Sequence, residues 1–269
     1  MGAVMSRILT AFVAIPLLLL LILRAPAWAF LALAVAFALA SFWELSRLSS
    51  KLEWKLLAVG YPLTGLLVTA FYPGFPGFQE TGIAIVLVVG TAAVFGREPG
   101  RETLGAVAAT AFAILYAGGL LGTVVGLRMT GPEEIGRMWL LFLLAVVMVG
   151  DAGAFFVGRT FGKTPLAPVL SPKKTVEGLL GGIAFSVAAA VVLRSFALPQ
   201  LALATTAGLG LTMALVGVVG DLFESLLKRS VGIKDTSSLI PGHGGVLDRI
   251  DSLLFAAPLL FLYLRWTEI

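Results

Sequence analysis

The sequence predicts an all-α fold, a polytopic transmembrane helical bundle of about nine spans with a cytoplasmic N-terminus. Three observations lead there. Hydrophobic residues make up 59% of the 269 positions and charged residues 13%, and the mean hydropathy is +1.01. Soluble domains are about 45–50% apolar and about 25% charged, so a water-soluble fold of this length would have too few polar residues to cover itself. Apolar runs of about 17–25 residues, which cross roughly 30 Å of hydrocarbon as helix, recur along the whole chain. Finally, Lys and Arg are distributed unevenly between alternate loops, the asymmetry that orients membrane proteins.

In chain order the expected spans are approximately 6–24, 28–48, 55–72, 82–96, 103–129, 136–158, 175–196, 201–227 and 252–266. The fourth and ninth are short. The first has Arg7, an apolar stretch from Ile8 to Leu23, and Ala25-Pro26-Ala27, a loose likeness to a secretory leader. With so many spans behind it, its removal would not change the class of the protein. If the loops alternate sides, 14 of the 19 Lys and Arg share a side with the N-terminus. That side is expected to be the cytoplasm, and an odd number of spans puts the C-terminus outside.

Residues 1–130 are expected to form N-terminal transmembrane helices and 131–269 a C-terminal catalytic region. The two most polar loops, 159–174 and 228–251, fall on the same side, so they can contribute to one site. Most of the 31 glycines lie within spans, where they let helices approach closely. There is no cysteine, which rules out disulfides, thiolate metal sites and a cysteine nucleophile.

Chemistry is concentrated in a few polar positions. Asp221 ends an apolar run, and Asp151 sits between Val-Val-Met-Val-Gly and Ala-Gly-Ala-Phe-Phe. An acid at the centre of a spanning helix costs about 2.5–3.5 kcal/mol on insertion scales, so both are functional candidates. The plainer alternatives are a helix end reaching the headgroups for Asp221 and a polar contact between helices for Asp151. Asp221, Glu224, Ser225 and Lys228 form one stripe on a helix, in which Glu224 and Lys228 could equally be an ordinary i,i+4 pair. Upstream, Ser171-Pro172-Lys173-Lys174-Thr175-Val176-Glu177-Gly178 reads as a helix start, with Ser171 as N-cap and Pro172 in the first position. Lysines in a first turn oppose the helix dipole, which a bound phosphate would offset. Anionic lipid headgroups are the alternative partner.

Downstream come Lys228-Arg229, Lys234-Asp235 and Pro241-Gly242-His243-Gly244-Gly245, then Asp248-Arg249-Ile250-Asp251. The glycine run can wrap phosphates with its amides, and His243 is the sole histidine. Asp248 and Asp251, spaced i,i+3, either ligate a cation or cap the last helix. Acids among several lysines and arginines suit the approach of two anionic substrates, since unit charges 4 Å apart repel by about 4 kcal/mol at an effective dielectric of 20. Basic side chains screen the oxyanions while carboxylates hold a cation, for which oxygen ligands favour Mg²⁺ over zinc. Gly158-Arg-Thr-Phe-Gly162-Lys163-Thr164 is one residue short of a P-loop and follows a membrane span rather than a strand, so it is not read as one.

The run from Ser225 to Asp251 resembles the signature of the phosphatidate cytidylyltransferase (CDP-diacylglycerol synthase) family. It has Ser, Lys-Arg, Lys-Asp, Pro-x-His-Gly-Gly and Asp-Arg-x-Asp in order. Asp151 to Gly178 is similar to the family as well, through Asp-x-x-Ala, Gly-Arg-x-x-Gly-Lys-Thr and Ser-Pro-Lys-Lys-Thr-x-Glu-Gly. The first half resembles it only in being hydrophobic. The resemblance implies that CTP and phosphatidic acid give CDP-diacylglycerol and pyrophosphate, with Mg²⁺ and room for a second cation. It implies Asp221, Asp248 and Asp251 as metal ligands, and Asp221, Asp248, Lys228 and His243 as the catalytic set. Lys173, Lys174, Lys228 and Arg229 are expected on phosphates, the 242–245 loop over the nucleotide with His243 donating a hydrogen bond or transferring a proton, and Ser171, Thr175, Lys234, Gly244, Gly245 and Arg249 among the binding residues. Asp151 is a further ligand or orients Arg159 and Lys163. A multi-pass protein of the inner (cytoplasmic) membrane, with its site facing the cytoplasm, a homodimeric state and no nucleic-acid partner, completes the expectation. The rival readings are a cation-coupled transporter, a CDP-alcohol phosphotransferase, whose Asp-Gly-x-x-Ala-Arg opening is absent, and a cytidylyltransferase acting on another lipid phosphate.

Overall fold

A backbone surrounded by hydrocarbon has to satisfy its own N–H and C=O groups, and helices do this locally. The computed structural model describes residues 12, 16–48, 54–96, 100–240 and 244–267, and these are overwhelmingly helical. Helix α1 covers residues 16–24 of the first expected run. It is followed by α2 (Ala27–Leu48), α3 (Trp54–Thr69), α4 (Phe78–Gly96), α5 (Thr103–Ile114) and α6 (Leu120–Arg128). A π-helical turn, Leu115–Gly119, joins α5 and α6 into one continuous rod. Then come α7 (Glu133–Phe161), two short strands β1 (Pro165–Ala167) and β2 (Ser171–Thr175), α8 (Val176–Ala197), α9 (Leu203–Ser230) and α10 (Leu247–Thr267).

Among the described residues, six helices are long and apolar enough to cross a membrane: α2, α4, the α5–α6 rod, α7, α8 and α9. Helix α3 is apolar but has only 16 residues. Helix α10 is 21 residues long, but Asp248, Arg249 and Asp251 crowd its first turns. The chain is therefore an all-α integral membrane protein in its main architecture, with one departure. Residues 165–175 form an antiparallel hairpin pairing Pro165 with Thr175 and Ala167 with Ser171. This moves the start of α8. Ser171 and Pro172 are not its cap and first residue; Thr175 is the N-cap, accepting a hydrogen bond from the Gly178 N–H at 3.1 Å. Glu177 supplies the acid that the first turn favours, and the lysines lie in β2, outside the helix.

The chain divides into two compact units. The first comprises Met1–Met129 with Asp235–Arg249. Here α3 packs against α2, α4 and the π-helical turn. Helices come together at glycines: a side chain at Gly60 would overlap the Phe42 ring, and one at Gly118 would meet the Thr64 carbonyl at 2.8 Å.

The second unit comprises Thr130–Lys234 with Ile250–Ile269. Gly150 meets Ser186, Gly182 meets Ala154, and Gly158 meets Gly178, so α7 and α8 run antiparallel in close register. Ser186 Oγ donates to the Val146 carbonyl at 2.9 Å across the same seam. Gly210 brings α9 against α8, and Gly220 brings it against the Asp251 carbonyl and the Phe255 ring of α10. Lipid tails are as apolar as leucine, so packing of this kind, rather than burial from water, holds spanning helices together.

Candidate active site

The second unit gathers acids from three helices. Asp151 comes from α7, Asp221 and Glu224 from α9, and Asp251 from α10. Asp151, Asp221 and Asp251 lie within range of each other's charge, with Lys174 of β2 among them. Lys174 Nζ forms an ion pair with Asp221 Oδ2, and about a quarter of each side chain is exposed. The Glu224 and Asp251 carboxyl groups are within hydrogen-bonding reach of one another. Glu224 is fully buried, and its Oε2 accepts from Lys228 Nζ at 2.8 Å. A narrow cleft beside Asp151 is walled by Gly150, Gly182, Met213 and Gly217, with Ser186 and Ser252 as further polar groups.

The hairpin explains how Lys174 gets there. Gly158, Gly162 and Gly178 close around Thr175, and a Cβ at any of them would crowd its hydroxyl. Glu177 accepts from the Lys163 N–H at 3.0 Å, the Thr164 N–H at 3.2 Å and the Thr164 hydroxyl at 2.9 Å. The two parts of the upstream motif therefore fasten to each other, and β2 leaves this clasp pointed at α9. Arg229 donates to the Ile233 carbonyl at 3.1 Å. Lys173, Lys234, Arg159 and Lys163 are exposed, so Asp151 is grouped with acids and Lys174, and no contact with Arg159 or Lys163 is present. Ser171 is a half-buried strand residue.

The first unit holds the remaining sequence candidates. Asp248 Oδ2 accepts from the Gly245 N–H at 2.8 Å and the Thr236 N–H at 3.1 Å, and the Thr236 hydroxyl lies 3.0 Å away. Gly244, at φ +85°, forms an isolated antiparallel bridge with Ile240. The Gly245 amide is thus engaged within the chain. Arg249 is exposed, and His243 lies outside the described residues.

One residue had no place in the sequence reading. Glu44, near the end of α2, is fully buried. It accepts from Ser237 Oγ at 2.6 Å, Thr236 Oγ1 at 3.2 Å, the Val246 N–H at 2.8 Å and the Leu247 N–H at 2.7 Å. An acid inside an apolar run is the same signal that singled out Asp221 and Asp151, and it was available at Glu44.

Among the described residues no three acidic or histidine side chains already converge as a metal-ligand set. The donor chemistry nonetheless fits a hard divalent cation. All the candidates are carboxylate oxygens, and among the described residues Lys174 pairs with Asp221 and Lys228 with Glu224.

Fold and site together define a membrane protein with a carboxylate–lysine centre drawn from α7, α9, α10 and β2. Residues 5–267 match the Cytidylyltransferase family, and the chain belongs to it. It is 43% identical over 130 residues to the phosphatidate cytidylyltransferase of Aquifex aeolicus, covering 48% of each chain. It is 47% identical over 140 residues to that of Helicobacter pylori, covering 51% of each, and 39% identical over 132 residues to that of Bacillus subtilis, covering 49% of each. The matched stretch spans about half the length of these relatives.

Proposed function

We propose that the protein transfers a cytidylyl group from CTP to phosphatidic acid, giving CDP-diacylglycerol and pyrophosphate. The observation that carries this reading is the cluster of Asp151, Asp221, Glu224 and Asp251 with Lys174 and Lys228, set at the ends of apolar helices. Family membership supports the cytidylyl donor, and the names of the relatives support the lipid acceptor. A phosphate oxygen of the lipid attacks the α-phosphorus of CTP, and pyrophosphate leaves.

Asp221, Asp151 and Asp251 would hold Mg²⁺, which when bound supplies the positive charge that the triphosphate and its leaving group need. Asp248 and a second cation stand in the proposal on the sequence resemblance alone, as does the nucleotide-facing role of His243, Lys234 and Arg249. Lys174 exchanges its Asp221 partner for a substrate phosphate, and Lys173 and Arg229 attract the same anions from the exposed surface. Lys228 balances Glu224. The reading places nine spans in the inner membrane, the N-terminus and the site on the cytoplasmic side, and two copies in the working assembly. Charge asymmetry between the loops supports that orientation.

The test is to incubate the purified protein in lipid–detergent micelles with labelled CTP, Mg²⁺ and a panel of lipid phosphates. Label moving into a CDP-diacylglycerol band only with phosphatidic acid is the expected result. Label moving into the product of a different lipid phosphate would retain the chemistry and replace the acceptor.

A further inference from the structure

Residues 235–249 carry the densest part of the motif. Their described part before α10 contains one isolated bridge, Ile240 with Gly244, and side-chain bonds to Asp248. A segment outside regular helix or sheet keeps one shape through such side-chain anchors. The structure supplies one in Glu44, about 200 residues earlier in the chain.

The Glu44 carboxylate receives hydrogen bonds from both flanks of the segment: the Ser237 hydroxyl and the Val246 and Leu247 amides, with the single proton of the Thr236 hydroxyl shared between Glu44 and Asp248. Hydrogen bonds to a carboxylate are the stronger class. The two amides belong to the start of α10, whose N–H groups have no partner inside the helix. Packing is equally specific, since a side chain at Gly245 would run into Glu44 Oε1 and the Thr236 hydroxyl. Glycine is required there because the backbone touches the acid. Asp248 then closes the same turn from inside, accepting from Gly245 and Thr236.

We infer that Glu44 is a positioning residue for the cytidylyltransferase reaction: it holds both flanks of the 236–247 segment in the shape the nucleotide meets. The inference rests on the proposed reaction for its kinetic consequence, and on these hydrogen bonds alone for its structural one. Glu44 touches no substrate in this role; it acts through Gly245 and the start of α10.

The experiment is hydrogen–deuterium exchange by mass spectrometry on the full chain in nanodiscs, comparing the native protein, Glu44→Gln and Ser46→Ala. Ser46 lies on the same helix and, among the described residues, bonds within it to the Trp43 carbonyl, so it reports general damage to α2. Glu44→Gln is expected to speed exchange across 236–248 by roughly 10-fold or more, as the loss of charged hydrogen-bond acceptors implies. Exchange in α4 and α7 should stay at the native level, and Ser46→Ala should leave 236–248 unchanged. In the kinetic arm, KM for CTP should rise by a factor of the same order while kcat changes less. Should Glu44→Gln fail to fold, Ser237→Ala, which removes one donor, is expected to give a smaller increase over the same residues. Native exchange across 236–248 in Glu44→Gln, or in a folded Ser237→Ala where Glu44→Gln does not fold, overturns the inference. If exchange responds as expected but the native protein does not turn over CTP, the anchoring role stands and the proposed reaction falls.

Discussion

Replacing Gly220 by alanine tests whether close contact between α9 and α10 is what sets the acidic cluster. A Cβ at Gly220 would lie 2.6 Å from the Asp251 carbonyl oxygen and 2.9 and 3.0 Å from Phe255 ring and Cβ atoms. Two of these obstacles are backbone and Cβ, so a rotamer change cannot clear them. Overpacking of this kind costs about 1–3 kcal/mol, against which alanine gains about 1 kcal/mol of helix propensity over glycine. Gly208, on the same helix, has nothing within 4 Å of an added Cβ. Gly208→Ala therefore keeps the propensity gain without the clash. The two variants should differ by about 1–3 kcal/mol, or roughly 2–12 °C in Tm at about 2–4 °C per kcal/mol. Thermal unfolding in detergent, followed by circular dichroism, measures the difference. Because Gly220 precedes Asp221, and the atom it contacts belongs to Asp251, Gly220→Ala should also reduce turnover more than its stability loss explains. Equal Tm and equal activity for the two variants would refute the reasoning.

Other perturbations follow from single contacts. Lys174→Met leaves Asp221 without its cation, and kcat/KM should fall by roughly 10- to 100-fold, the range for loss of a charged hydrogen bond, with Lys174→Arg recovering part of it in the same assay. Thr175→Ala removes the N-cap of α8 and should cost about 1 kcal/mol; Thr175→Ser should restore most of it in the same unfolding measurement. Glu177→Gln weakens the acceptor for the Lys163 and Thr164 amides. Limited trypsin digestion should then cut after Lys163 faster than in the native protein, and an unchanged rate would count against the clasp.

Helix positions were legible wherever hydropathy alone decides them. The expected spans near 28–48, 103–129 and 175–196 correspond to α2, the α5–α6 rod and α8 within a few residues. Polar first turns misled the reading. Helix α4 begins at Phe78, with Glu80 in its first turn, where an apolar count starts at 82. At α8 the Ser-Pro pair looked like a start because both residues suit that position, but the hairpin takes them. The correct signal was Thr175 followed by Glu177, a cap and a first-turn acid without the conflicting lysines.

Near the cluster, Asp151 and Asp221 stand out in the sequence because each is a charge among apolar neighbours. Their partners do not. That Lys174 meets Asp221, or that Glu44 anchors Val246 and Leu247, depends on chain reversals that leave no local trace. The Gly244-Gly245 pair illustrates the limit. Its composition suggests a phosphate loop, and the described contacts add a reason no composition shows: a positive φ at Gly244 and a close approach to Glu44 at Gly245.

The most direct measurement of the central claim is the stoichiometry of products from the native protein and from Asp221→Asn, assayed side by side with CTP, phosphatidic acid and Mg²⁺. The account predicts one pyrophosphate for each CDP-diacylglycerol formed by the native protein, and loss of both in a folded Asp221→Asn. Full activity in that variant, or no nucleotide turnover by the native protein with any lipid phosphate, would contradict it.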